Sequence, residues 1–235
     1  MSSVQPNLHQ RRRAATSDEL CQIPWLERLE EVHRQLAIDA VVVSQAQPGD
    51  HICRFGHSPT YWFGLVDGLL KMSTEGPSGS SITFTGLSPG GWFGEGTMLK
   101  REPYRYNVQA LRKSTVAGLP MSTFHQLLSQ SLAFNQFIMA QLNERLGQFI
   151  AAREIDRMTD PDVRVARSLA SLFNPIMFPG VGEVLLITQQ ELSYLVGLSR
   201  QRVNMALQRL QDKGLIRIEY GGLRVLHLDT LKAMQ

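Results

Sequence analysis

Residues 187–228 read ITQQELSYLVGLSRQRVNMALQRLQDKGLIRIEYGGLRVLHL. Two amphipathic helices and a hairpin are packed into this stretch with almost no linker, which leaves few ways to fold it. Thr188 and Glu191 stand at the Thr-x-x-Glu spacing of a capping box, in which each side chain bonds the other residue's backbone amide. Behind that cap Leu192, Leu195 and Val196 recur on one helical face. Gly197 ends the helix, because a residue without a Cβ takes the left-handed conformation that a tight helix–helix turn needs. Ser199 is placed to cap a second helix, whose inward face is Val203, Ala206, Leu207 and Leu210. Two β-prone runs joined at Tyr220-Gly221-Gly222 follow as a wing. The order helix, turn, helix, wing is far more specific than any one of its parts.

With the apolar stripe committed to a core, Arg200, Gln201, Arg202, Asn204 and Met205 point elsewhere. The major groove of DNA admits one helix, and the first turn of that helix meets the base edges. Arginine offers two parallel donors that match guanine O6 and N7, and glutamine pairs bidentately with adenine. Thr188, Gln189 and the amides at the helix starts suit phosphates. From 187 to 224 the bases are Arg200, Arg202, Arg209, Lys213, Arg217 and Arg224, against Glu191, Asp212 and Glu219, so the segment is locally positive. The whole chain carries a formal charge of only +3, which permits nucleic-acid binding without demanding it. A winged helix used for protein contact alone is the alternative, but a solvated face has no need of a capped Ser-Arg-Gln-Arg start.

The remainder of the 235 residues divides by rhythm. Residues 1–22, with Arg11, Arg12 and Arg13, read as a solvated tail able to brush phosphates. Residues 24–38 carry Trp25, Leu26, Leu29, Val32 and Leu36 at helical spacing. From Ala40 to Leu119 short β-prone runs are cut by glycine and proline, the signature of an antiparallel jelly roll. A long helix is expected from about Phe134 to Met158, with Met139, Leu142, Leu146 and Phe149 at alternating steps of three and four as a dimer seam. Asp160, Pro161 and Asp162 form a helix start and mark a boundary. The expected fold is α+β: a disordered tail over 1–22, an antiparallel β-roll over 23–132, which the resemblance named below makes cyclic-nucleotide-binding-like, a dimerisation helix over 133–159 and a winged helix-turn-helix over 160–235.

Several function classes fall away. Cys21 and Cys53 are too few for a disulfide framework, a zinc finger or a four-cysteine cluster, and two isolated thiols fit a reducing cytoplasm. No apolar run reaches the roughly 20 residues of a membrane helix, so no membrane partner is expected. A jelly-roll metalloenzyme would show a His-x-His pair on a strand, but His51 is followed by Ile52-Cys53. No Ser-His-Asp or Cys-His spacing supports catalysis, so the chain is not expected to be an enzyme. His51, His57 and His125 are haem-ligand candidates by presence only.

On the motifs GGWFGEGTML, RVARSLASL and ITQQELSYLVGLSRQRVNMALQRLQDKGLI, the chain resembles the Crp/Fnr family over roughly residues 40–228. The resemblance implies a β-roll sensor, a dimerising helix and a winged-helix reader, working as a homodimer on palindromic operators in double-stranded DNA, with RNA polymerase as a further partner. Ser199, Arg200 and Gln201 fall where the family places phosphate and base contacts, and Arg200 matches its guanine-reading arginine. The family's usual glutamate is Gln201 here and a later arginine is Met205, so a half-site other than TGTGA, keeping a guanine under Arg200, is expected. Gly94 and Glu95 match the glycine and ribose-binding glutamate of a cyclic-nucleotide pocket. The Arg-Ser or Arg-Thr pair that should follow is replaced by Tyr104-Arg105-Tyr106, in which Arg105 is the tentative phosphate ligand. The positions that meet adenine are Phe149 and Ile150, neither of which hydrogen-bonds a base. The pocket therefore reads as degenerate, with cyclic AMP and cyclic GMP disfavoured as ligands; a regulator that still binds one of them is the alternative. Glu95 would otherwise be a structural residue satisfied by backbone amides.

Overall fold

The computed structural model describes residues 11–75 and 81–234. The chain enters through β1 (Arg13–Ala14), α1 (Ser17–Cys21), a 3-10 turn (Leu26–Arg28) and α2 (Glu31–Ala40). The roll is built from β2 (Val42–Ala46), β3 (His51–Cys53), β4 (Tyr61–Asp67), β5 (Leu70–Glu75), β6 (Ser81–Leu87), β7 (Trp92–Phe93), β8 (Asn107–Ala110) and β9 (Ser114–Pro120), with α3 (Glu95–Lys100) inserted after β7. Every strand pair is antiparallel, in a five-stranded sheet ordered β1-β2-β9-β4-β7 and a four-stranded sheet ordered β3-β8-β5-β6. Then come α4 (Met121–Gln130), the 25-residue α5 (Leu132–Asp156), α6 (Pro161–Ser171), β10 (Val184–Leu185), α7 (Gln189–Val196), α8 (Arg200–Asp212), β11 (Ile216–Glu219), β12 (Gly222–Val225) and α9 (Leu228–Ala233).

The side-chain period of two in a strand decides what the roll can hold. On β4, Phe63 and Leu65 face the interior of the roll, whereas Trp62 and Val66 face the helices outside it. On β9, Val116 and Ala117 divide the same way. Both faces of this sheet are therefore buried, which is why these strands are apolar almost throughout. On the helical side Trp25, Trp62 and Trp92 form a triangle with ring centroids 4.4–5.4 Å apart, and Phe134 of α5 packs edge-on at 5.5 Å from Trp25. Gly64 makes room for this cluster, since a Cβ there would lie 2.2 Å from the Trp92 ring. The root of the long helix is thus fixed to the roll by buried aromatic surface.

The entry segment departs from expectation. Residues 11–22 were expected as part of a solvated tail, yet they add β1 to the sheet edge and fold α1 behind a Thr16–Glu19 capping box. Arg11 pairs with Asp50 at 2.6 Å, the Arg12 guanidinium lies 3.9 Å from the Tyr61 ring centroid, and Arg13 pairs with Glu19 at 2.6 Å. These arginines pair within the roll. The expectation for residues 1–10 falls outside the described residues. The helix expected over 24–38 is broken as well: Leu29 is extended, so Trp25, Leu26 and Leu29 are buried on the 3-10 turn, while Val32 on α2 is 78% exposed.

Candidate nucleic-acid interface and effector pocket

Both helices of the reader start and stop as their local chemistry dictates. Thr188 Oγ1 accepts from the Glu191 amide at 3.2 Å, and the Glu191 carboxylate accepts from the Thr188 amide at 2.7 Å. Gly197 is left-handed, with φ 70°, and ends α7. Ser199 Oγ accepts from the Arg202 amide at 3.2 Å and opens α8. Val203, Ala206, Leu207 and Leu210 are fully buried with Leu192 and Val196. Leu195 packs half-buried against the same core, as expected, and also reaches Gly86 on β6, so this face of α7 leans on the sensor as well. The wing is β11–β12 with a tight turn at Tyr220-Gly221, where Tyr220 is fully exposed.

The sequence-predicted reader residues do not share one environment. Arg200 and Gln201 are exposed on the first turn of α8. Arg202 is drawn back to α6, where Asp162 holds it in an ion pair at 2.9 Å and Arg209 in another at 2.8 Å. Arg202 is thus ion-paired within the domain, unlike the exposed Arg200 and Gln201. Gln189 donates to Asn204 Oδ1 at 2.9 Å and so joins α7 to α8. Met205 is partly exposed farther along α8.

The sensor pocket has a volume of about 260 Å³ and lies between α3, the Glu102–Tyr106 loop and α5. Gly94, with φ 92°, makes the turn that opens α3, and Glu95 is 3% exposed at its start. Glu95 is not satisfied by backbone amides. Arg145, projecting from α5, donates Nε to Glu95 Oε1 at 3.2 Å and Nη2 to the Trp92 carbonyl at 2.7 Å. Glu95 Oε2 and Arg145 Nη1 are buried without a partner. Sequence reasoning missed Arg145, although a lone arginine between Leu142 and Leu146 was the available signal. Arg105 stands at the rim, exposed and paired with Glu102 at 2.8 Å. Tyr106 lines the pocket, and burial pushes its phenol well above the ordinary range. Burial likewise raises the Cys53 thiol, which leaves it unreactive. Phe149 lines the pocket and meets Phe84 edge-on at 6.4 Å, whereas Ile150 is 58% exposed and lies outside it.

The expected seam divides in the same way. Met139 and Leu146 are 60% exposed and align with Leu132 and Ile150 along one side of α5. Leu142 and Phe149 face the pocket instead, because the helix must cover the roll as well as any partner. Among the described residues no helix is long and apolar enough to cross a membrane, and no group of three or more His, Cys, Asp or Glu could hold a metal ion.

Two family models match the chain: the cyclic nucleotide-binding domain over residues 43–131, and the Crp-like helix-turn-helix domain over residues 163–234. The chain belongs to the Crp/Fnr family. As a member it is a DNA-binding transcriptional regulator with a domain of the cyclic-nucleotide-binding type. It is 27% identical to the cAMP-activated global transcriptional regulator CRP of Haemophilus influenzae, over 68% of this chain and 73% of that protein. It is 28% identical to the transcriptional regulator SdrP of Thermus thermophilus, over 72% of this chain and 81% of that protein. Its fold is that of FixK2 from Bradyrhizobium japonicum, with a TM-score of 0.68, 15% identity, and cover of 83% of this chain and 98% of the other. Crp/Fnr membership thus joins the two candidate sites in one molecule: a reader helix, and a pocket walled by the long helix that leads to it.

Proposed function

We propose that this Crp/Fnr regulator acts as a homodimer on two-fold symmetric DNA in the cytoplasm, with Arg200 and Gln201 at the base edges of each half-site. The observation that carries the reading is the capped first turn of α8: it holds Arg200 and Gln201 in solvent, ahead of a fully buried apolar stripe, while Arg202 and Arg209 are tied to Asp162. Thr188 and Ser199, at the two helix starts, serve the phosphates. The exposed Leu132, Met139, Leu146 and Ile150 serve the partner helix, and two readers one DNA turn apart meet half-sites about 34 Å apart. RNA polymerase is the proposed partner at promoters, and no catalytic role is assigned to any residue.

Selection from random duplexes tests this. Two-fold sites with a guanine in each half are expected, and Arg200→Ala should cost about 1–3 kcal/mol and relax preference at that one position. Recovery of TGTGA half-sites would refute the altered specificity assigned to Gln201 and Met205, and uniform weakening across all sequences would demote Arg200 to a phosphate contact.

The pocket beneath α5 is the proposed effector site. Its unpartnered Glu95 Oε2 and Arg145 Nη1 suit a ligand carrying a hydroxyl beside an anionic group. A cyclic nucleotide meets that demand at its sugar–phosphate end, but its base would meet Phe149, which offers no hydrogen bond. Titration calorimetry with cyclic AMP and cyclic GMP separates the two readings: micromolar binding makes the cyclic nucleotide the effector, and no heat turns the search to other hydroxylated anions.

A further inference from the structure

A second cavity, of about 300 Å³, lies between β6, the C-terminal half of α5, α6 and the end of α7. It is separate from the sensor pocket, and α5 is the wall between them: Phe149 faces one cavity and Gln148 the other. We infer that this interdomain cavity is a binding site for a small carboxylic acid with an apolar body and one hydroxyl.

Three features define that ligand. Gln148 Oε1 and Arg164 Nε line the cavity, are buried and have no hydrogen-bond partner. Each of these side chains is anchored through another atom, Gln148 Nε2 donating to Thr85 Oγ1 at 3.1 Å and Arg164 Nη2 to the Val196 carbonyl at 3.1 Å. A buried acceptor and a buried donor left open cost free energy that a ligand hydroxyl and a ligand carboxylate would recover. Arg164, Arg167 and Lys232 line the cavity with the carboxylates Glu144 and Asp156, and Arg167 is paired with Glu154 at 3.2 Å, so Arg164 is the cation with an open buried donor. Glu144 is bonded by Asn174 at 3.2 Å. The body of the cavity is apolar, formed by Ala151, Ile155, Leu172 and Leu195. A Cβ added to Gly147 would meet nothing within 4 Å, so α5 presents bare backbone to this space. Because the walls come from the sensor sheet, the long helix and the reader, an occupant bridges all three and links the effector domain to the orientation of α8.

The probe is 3-hydroxyoctanoate, titrated into the full-length protein by calorimetry beside octanoate, which lacks the hydroxyl. Binding with a Kd below about 1 mM is expected for the hydroxy acid, weakened about tenfold for octanoate. Arg164→Gln should weaken the hydroxy acid by at least about tenfold. Gly147→Leu should abolish binding by filling the cavity, and since leucine is the better helix former its melting temperature should hold or rise. Equal binding of the two acids, binding retained in Gly147→Leu, or no heat from the hydroxy acid in the wild-type protein would each overturn the assignment.

Discussion

Replacing Arg145 with methionine tests the charged floor of the sensor pocket most directly. The change keeps a long apolar side chain on α5 and removes the only side-chain partner of Glu95 among the described residues, Glu95 being 3% exposed, together with the bond to the Trp92 carbonyl. Removing one member of a buried ion pair leaves an uncompensated charge and costs about 3–5 kcal/mol. For a chain of this length a loss of 1 kcal/mol lowers the melting temperature by roughly 2–4 °C, so a fall of roughly 10 °C is expected in scanning calorimetry without ligand. The companion variants are Glu95→Gln and the double variant Glu95→Gln/Arg145→Met. In the double variant no charge is stranded, and it should recover at least about 2 kcal/mol relative to the sum of the single changes. A fall of less than about 2 °C in Arg145→Met, or single effects that simply add in the double variant, would show that the two groups are not coupled in a dry site and would remove the basis for a ligand bridging them.

Other consequences follow from the same geometry. Arg112 in the β8–β9 turn holds the Glu191 carboxylate at 2.6 and 2.8 Å and so ties the sensor to the start of α7. Arg112→Ala should cost about 1 kcal/mol and speed hydrogen exchange along the sensor–reader contact, while the capped amides of α7 stay protected; equal loss of protection in α7 would mean that Arg112 sustains the helix itself. Leu146→Asp should weaken the dimer at least about tenfold in sedimentation, because it places a charge in the exposed stripe of α5, and an unchanged dimer would remove that stripe from the interface. The Arg13 hydrogen bond holds the Glu19 carboxyl down at about 2, from an ordinary 4.5. Since the folded value is depressed, the stabilisation is present above about pH 4.5 and lost as pH falls toward 2. The stability difference between wild type and Glu19→Gln should therefore be full at neutral pH and shrink through that window; a difference independent of pH would refute the pairing.

The reader was legible because each of its devices spans fewer than five residues. A capping box, a left-handed glycine and a serine cap are complete within the stretch that contains them, and the helical period sorts core from surface with no knowledge of neighbours. The same holds for Asp160 as the cap of α6, where the Asp160 side chain accepts from the Asp162 amide. The sequence is less legible where a charged side chain finds its partner outside its own helix or strand. Nothing near Arg202 in the sequence announces its ion pair with Asp162, forty residues earlier. Arg11 and Arg13 read as tail residues until Asp50 and the Glu19 cap receive them.

The sequence by itself determined the element types and helix boundaries of the reader and the β character of the roll, because propensity, capping and period act locally. Only the tertiary structure decided which arginines remain free, which face of α5 serves the sensor and which is left for a partner, and that Glu95 and Arg145, fifty residues apart, form one buried pair. Those outcomes depend on desolvation and on distance in space, and neither quantity is defined until the strands and helices have been brought together.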